Sequence, residues 1–158
     1  METFTIRVYG LLINEVNELL ICDELIRGKY YTKFPGGGME YGEGTRDCLA
    51  REFLEELNLK IDVGEHVYTT DYFQESAFGN AKQIISIYYY AIPLEPIRAA
   101  ILPASHGPYN FEIKPLDNNE QLEAFRWINL SALTTDDVTL PIDKTLVKIL
   151  IDKFNRPS

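Results

Sequence analysis

Apolar runs divide the chain into short β-type segments and two helical ones. Phe4 to Ile13 is apolar and β-branched and predicts a strand. Leu19 to Cys22 predicts a second, after an Asn14-Glu15-Val16-Asn17 turn. Tyr30 to Phe34 predicts a third that stops at Pro35, and Gly36-Gly37-Gly38 then opens a loop running to Gly44. A helix is expected from Thr45 to Leu57, with Thr45 as N-cap and Asn58 as a left-handed residue at its end. Lys60 to Val63 and Val67 to Phe73 are strand-like. Gln83 to Ile92 is the strongest strand, and its continuity predicts burial on both faces. Leu94 to Asn119 carries Pro96, Pro103, Pro108 and Pro115 and reads as a loop with one short strand near Tyr109 to Ile113. Ala124 to Leu130 is strand-like. From Pro141 to Phe154, residues Ile142, Leu146, Ile149, Leu150 and Phe154 share one helical face. Together the elements predict an α/β or α+β domain with a mixed sheet.

A length of 158 residues suits one domain, residues 1–158, with a substantial core. The formal net charge of −9 disfavours generic nucleic-acid binding, which needs a cationic surface. The N-terminus does not read as a signal peptide, and no window is apolar enough to span a membrane. Cys22 and Cys48 lack metal-type spacing and read as reduced, buried thiols of a cytoplasmic protein. An acidic chain can still handle an anionic substrate if divalent cations, or a few Lys and Arg, stand between its carboxylates and the phosphates.

That requirement directs attention to the helix. At about 100° per residue, Glu52, Glu55 and Glu56 share a face roughly 100° wide, with Ala50, Phe53, Leu54 and Leu57 opposite. Repelling carboxylates at this spacing become favourable when a hard cation sits between them. A solvated acidic face is the plain alternative. The glycines just upstream, which allow close backbone approach to a ligand, weigh against it.

The register of loop, helix and acids resembles the Nudix box, Gx5Ex7REUxEExGU, where U is a bulky apolar residue. Gly37 supplies the first glycine, Glu43 the first acid, Arg51-Glu52 the central pair, Phe53 the first U, Glu55-Glu56 the acidic pair and Leu59 the final U. Asn58 replaces the last glycine, and asparagine tolerates positive φ best among the other residues. The resemblance implies an α/β/α sandwich with a mixed sheet between helices, and a metal-dependent hydrolase of diphosphate linkages. It implies Glu52, Glu55 and Glu56 as ligands of Mg²⁺, with Mn²⁺ as a substitute, and the Gly37 carbonyl as a further ligand. It also implies an Arg51–Glu43 ion pair holding the loop to the helix. Trp127 falls where many members carry a tryptophan. The general base is either a box glutamate or a later acid, of which Glu120 is the first candidate and Glu112, Asp117 and Glu123 are rivals.

Substrate choice lies outside the box. Arg27, Lys29 and Lys33 can contact phosphates or be solvated charges, and Tyr30, Tyr31, Tyr72 and Phe73 can stack on a base or fill a core. The 94–119 segment, with His106, Tyr109 and Phe111, is expected to help set specificity. The expected partner is a small nucleotide or diphosphate substrate, with no nucleic acid and no membrane; a homodimer stays open. The alternative is a Nudix-like module that binds nucleotides without hydrolysing them. Such modules typically lose box acids, and the acids here are intact.

Overall fold

A computed structural model describes residues 2–77, 82–105, 107–111 and 121–155. The chain divides into two units, one of Met1–Ile13 with Pro35–Ala99 and one of Asn14–Phe34 with Ala100–Ser158.

The first unit holds β1 (Thr3–Leu11), β4 (Gly36–Gly38), α1 (Thr45–Leu57), β5 (Ile61–Thr69) and β6 (Lys82–Pro93). Its sheet runs β4-β1-β6-β5. β1 pairs in parallel with β6, and the other two pairings are antiparallel. The triple glycine is therefore a strand rather than the start of a loop. At Gly36, with φ +146°, a Cβ would collide with the Val8 carbonyl, so only glycine lets β4 lie this close to β1. The two strand-like stretches after α1 form the single strand β5, whose pairing shifts register around His66. β6 is central, but burial holds only in its middle, at Ser86, Tyr88, Tyr89 and Ala91; Ile92 is half exposed.

The second unit holds β2 (Glu18–Ile26), β3 (Lys29–Lys33), β7 (Ile101–Leu102), β8 (Gln121–Asn129), two one-turn 3-10 helices (Leu130–Ala132, Thr135–Asp137) and α2 (Pro141–Asn155). Its sheet runs β3-β2-β8-β7, with β7 parallel to β8 and the rest antiparallel. The expected mixed sheet is thus two mixed sheets. β2 extends four residues past Cys22, through Asp23 and Glu24, because both acids are buried with a basic partner. Arg27 and Gly28 both have positive φ and make the two-residue β2–β3 turn. A short strand forms at Ile101–Leu102; of the strand expected near Tyr109 to Ile113, residues 109–111 are irregular chain, with Phe111 stacked on Tyr30, and residues 112–113 lie outside the described residues. In α2 the buried apolar set is Ile142, Leu146, Val147 and Leu150, and Phe154 is exposed. Neither cysteine is in a disulfide, and both are buried. Among the described residues no helix is long and apolar enough to cross a membrane.

Candidate active site

α1 reaches the sheet of its own unit at two glycines. The Phe53 ring lies over Gly10, where a Cβ would come within 2.5 Å of it. The Glu52 carboxyl lies over Gly37, where a Cβ would stand 2.5 Å from it. The start of the helix is tied down by side chains. Arg46 donates to the Val63 carbonyl at 2.6 Å and stands 4.8 Å above the Tyr89 ring, and the Thr45 and Tyr89 hydroxyls share a 2.7 Å hydrogen bond. Thr45 is the first helical residue rather than the N-cap. Gly44 takes the cap position in an extended conformation, and its amide donates to Asp47 at 3.1 Å. Asn58 ends the helix in the left-handed region, φ 48° and ψ 41°, and its amide donates to Leu54 at 3.1 Å.

The core face of α1 is Cys48, Leu49, Phe53 and Leu57. Leu54, expected among the core positions, is 46% exposed. At about 100° per residue the buried set is centred only some 80° from Glu52. The acid face therefore does not stand opposite the core. It straddles the core's rim: the Glu52 side chain is 13% exposed and that of Glu55 is 58% exposed. The physical reason is β4. A strand of bare glycines leaves room for a carboxylate where a side chain would otherwise stand.

Arg51 organises the charges. Its Nε and Nη2 donate to Glu43 Oε2 and Oε1 at 3.0 and 2.7 Å, a two-pronged bond. Nη2 also donates to the Gly38 carbonyl at 3.1 Å. Nη1 donates to Glu52 Oε1 at 3.1 Å and to both oxygens of Glu55 at 3.2 Å. Glu40 adds a carboxylate 3.7 Å away, and its amide donates to Glu43 Oε1 at 2.8 Å. The Arg51 hydrogen bonds, then that amide, hold the Glu43 carboxyl down at about 2. Glu43 in turn raises the pKa of Arg51, so the guanidinium stays charged. Cys48 lies beneath this pair, its sulfur 3.9 Å from both the Gly37 oxygen and Arg51 Nη2. Burial, then the charge of Glu43, pushes its thiol up to about 12, so it is inert. Glu40, Cys48 and the Gly38 carbonyl were not assigned parts by the sequence. The three-residue Cys48–Arg51 spacing on a helix was the available signal.

The first unit thus brings together Gly37, Glu43, Arg51, Glu52 and Glu55, with half-buried Glu56 one residue on. Of the other candidates, Tyr72 and Phe73 belong to the first unit and the rest to the second. Arg27 and Lys29 are exposed at the β2–β3 turn, and Lys33 bonds Glu24 at 2.8 Å. Cys22, Glu24 and Glu123 place possible ligand atoms within 4.8 Å of one another, but the Lys33 ammonium already supplies the cation there. Burial, then Glu24, raises the pKa of Glu123. Trp127 is half-buried on β8. Tyr30 stacks on Phe111, whereas Tyr72 and Phe73 are exposed. His106, Glu112, Asp117 and Glu120 lie outside the described residues.

The NUDIX domain model matches residues 3–148. The chain belongs to the Nudix family. It is a Nudix-type pyrophosphohydrolase, an enzyme class that acts on small nucleotide-linked substrates and generally depends on a divalent cation. Its mixed α+β fold, with two mixed sheets and two helices, is also that of solved Nudix structures. The E. coli ORF135 protein is 18% identical with a TM-score of 0.68, covering 100% of this chain and 96% of its own. The MutT protein from Methanosarcina mazei Go1 is 19% identical with a TM-score of 0.68, covering 99% and 98%. A UDP-X diphosphatase is 16% identical with a TM-score of 0.61, covering 98% of this chain and 64% of its own.

Proposed function

We propose that this Nudix hydrolase cleaves a diphosphate linkage in a nucleoside diphosphate joined to another moiety, such as a nucleoside triphosphate or a nucleotide sugar, with water attacking phosphorus. The observation that carries this reading is the meeting of Glu52 and Glu55 at one corner of Arg51, with the Glu52 carboxyl resting on the bare Cα of Gly37. Hard carboxylate oxygens beside glycine backbone that carries no side chain suit Mg²⁺, or Mn²⁺ in its place. The ligands we assign are Glu52, Glu55, Glu56 and the Gly37 carbonyl. When bound, the cation supplies charge neutralisation of the diphosphate and a more acidic water. The chain's own part is to hold the acids in register. Arg51 and Glu43 clamp the 38–43 loop to α1, and the left-handed turn at Asn58 ends the helix just after Glu56. The general base is a box glutamate or Glu120. Arg27, Lys29 and Lys33 are the basic residues we assign to substrate phosphates.

The MutT and UDP-X diphosphatase neighbours support a nucleotide-type substrate. The family match, which draws on both units, supports residues 1–158 working as one Nudix domain. Two buried thiols outside any disulfide suit a reducing cytoplasm. A homodimer is compatible with the proposal. The test is a panel of nucleoside triphosphates, nucleotide sugars and dinucleoside polyphosphates, assayed with Mg²⁺ and Mn²⁺ for monophosphate or phosphate release. Glu55→Gln and Glu56→Gln should each lower turnover at least about 100-fold while the protein still folds. Near wild-type turnover in either variant at limiting Mg²⁺ removes that ligand assignment. Nucleotide binding without product across the whole panel would instead make the chain a binding module.

A further inference from the structure

The guanidinium of Arg51 divides into two halves with different partners. Nε and Nη2 face the loop and hold Glu43 and the Gly38 carbonyl. Nη1 faces the acids of the helix and spends its two hydrogens on Glu52 and on Glu55. Shielding sets Glu55 apart: the Glu43 and Glu52 side chains are 15% and 13% exposed, against 58% for Glu55. A two-pronged, shielded bond resists exchange far better than a shared bond to an exposed carboxylate.

The charge balance points the same way. Glu40, Glu43, Glu52 and Glu55 all lie within 3.7 Å of this one guanidinium, so three negative charges stay uncompensated among these groups. Among these five groups the one positive charge is too little for the four acids.

Resting on the metal assignment above, we propose that Arg51 is a built-in stand-in cation. In the metal-free protein its Nη1 corner holds Glu52 and Glu55 together. A divalent cation takes those carboxylates from Nη1 while Nε and Nη2 stay fixed on Glu43 and Gly38. Arg51 is thus a positioning residue with one permanent half and one exchangeable half. The metal-free site keeps its acids gathered despite their repulsion, and binding a cation replaces one counter-charge with a denser one.

The prediction concerns the side-chain resonances of Arg51, read by NMR at low temperature, where hydrogen bonds slow rotation about the Cζ–N bonds. Arg51→Lys assigns the signals by removing them. In metal-free wild type both Nη groups should be restrained. Titration with Mg²⁺ should release Nη1, seen as loss of its restrained signals, and leave Nε and Nη2 in place. Metal-free Glu55→Ala should move the Nη1 signals in the same direction without any metal. Mn²⁺ binding is measured in parallel by electron paramagnetic resonance. If Mn²⁺ binds and Nη1 does not change in the Mg²⁺ titration, the stand-in role is overturned and the ligand assignment stands. If Nε and Nη2 are released with Nη1, the two-half division is overturned. If neither cation binds, the metal assignment itself falls and takes this proposal with it.

Discussion

Each unit is built around an arginine among carboxylates, and the two arrangements are opposites. In the second unit, Arg126 and Asp23 are 1% and 0% exposed and bond at 2.7 and 3.3 Å. The pair has three further partners. Thr32 Oγ1 donates to Asp23 Oδ1 at 2.6 Å, the Tyr109 amide donates to Oδ2 at 2.9 Å, and Arg126 Nη1 donates to the Ser105 carbonyl at 2.6 Å. One charge meets one charge, and the pair ties β2, β3, β8, Ser105 and Tyr109 together. Arg51 in the first unit is ringed by four carboxylates, and its partners range from shielded to exposed. A closed, balanced network organises a fold. An open one with surplus acid is a place for a ligand.

The sharpest way to break the comparison is at the closed network. Arg126→Ala leaves Asp23 charged and buried, and should cost about 3–5 kcal/mol in denaturant unfolding. Asp23→Leu with Arg126→Met together should recover most of that loss. An Arg126→Ala cost under about 1 kcal/mol would place Asp23 in contact with solvent.

At the open network the next effect should fall on activity. Gly37→Ala puts a methyl against the Glu52 carboxyl, so kcat/KM should drop about 10- to 100-fold with little change in melting temperature. Gly38→Ala, whose Cβ would meet only Arg7 Nη1 at 3.8 Å, serves as the control and should stay within about threefold. Equal losses in the two variants would show that glycine flexibility, rather than the seat under Glu52, is what matters.

A smaller effect is expected where the helix stops. Asn58→Val should destabilise by about 1 kcal/mol, since a β-branched residue opposes the left-handed conformation. Asn58→Gly should match or slightly exceed wild type in melting temperature. Identical melting curves for all three proteins would contradict the positive φ.

The smallest effect is a dependence on acid. The Glu43 carboxyl is held at about 2, below its ordinary 4.5. A depressed carboxylate contributes stability that is fully present above the ordinary value and lost as pH falls through the depressed one. The metal-free wild type should therefore lose its margin over Glu43→Gln between about pH 4.5 and 2, and keep it constant above. A margin that does not change over that window would mean the Arg51–Glu43 bond contributes nothing net.

Local chemistry made much of this legible in the chain. The bounds of α1, the left-handed stop at Asn58 and the meeting of Arg51 with Glu43 follow from helical period, capping preference and motif register, all short-range in sequence. Two differences came from partners on other elements. The strand expected at Leu19 to Cys22 runs on through Asp23 and Glu24. Their partners, Arg126 and Lys33, lie 103 and 9 residues away. The triple glycine read as a loop because its strand partner is β1, nearly thirty residues earlier in the chain.

The sequence by itself determined which residues form the charged helix and in what order, because a helix places side chains by a fixed angle per residue. Only the tertiary structure decided which way that helix faces. The bare surface of Gly37 takes the Glu52 carboxyl and rolls the acids toward the sheet, leaving Leu54 to solvent. The division of Arg51 between loop and helix is likewise tertiary, since it depends on where the Gly38 carbonyl and Glu43 stand across the turn. Angles along one element are fixed by the backbone's own geometry; the approach of one element to another is fixed by the space each side chain leaves.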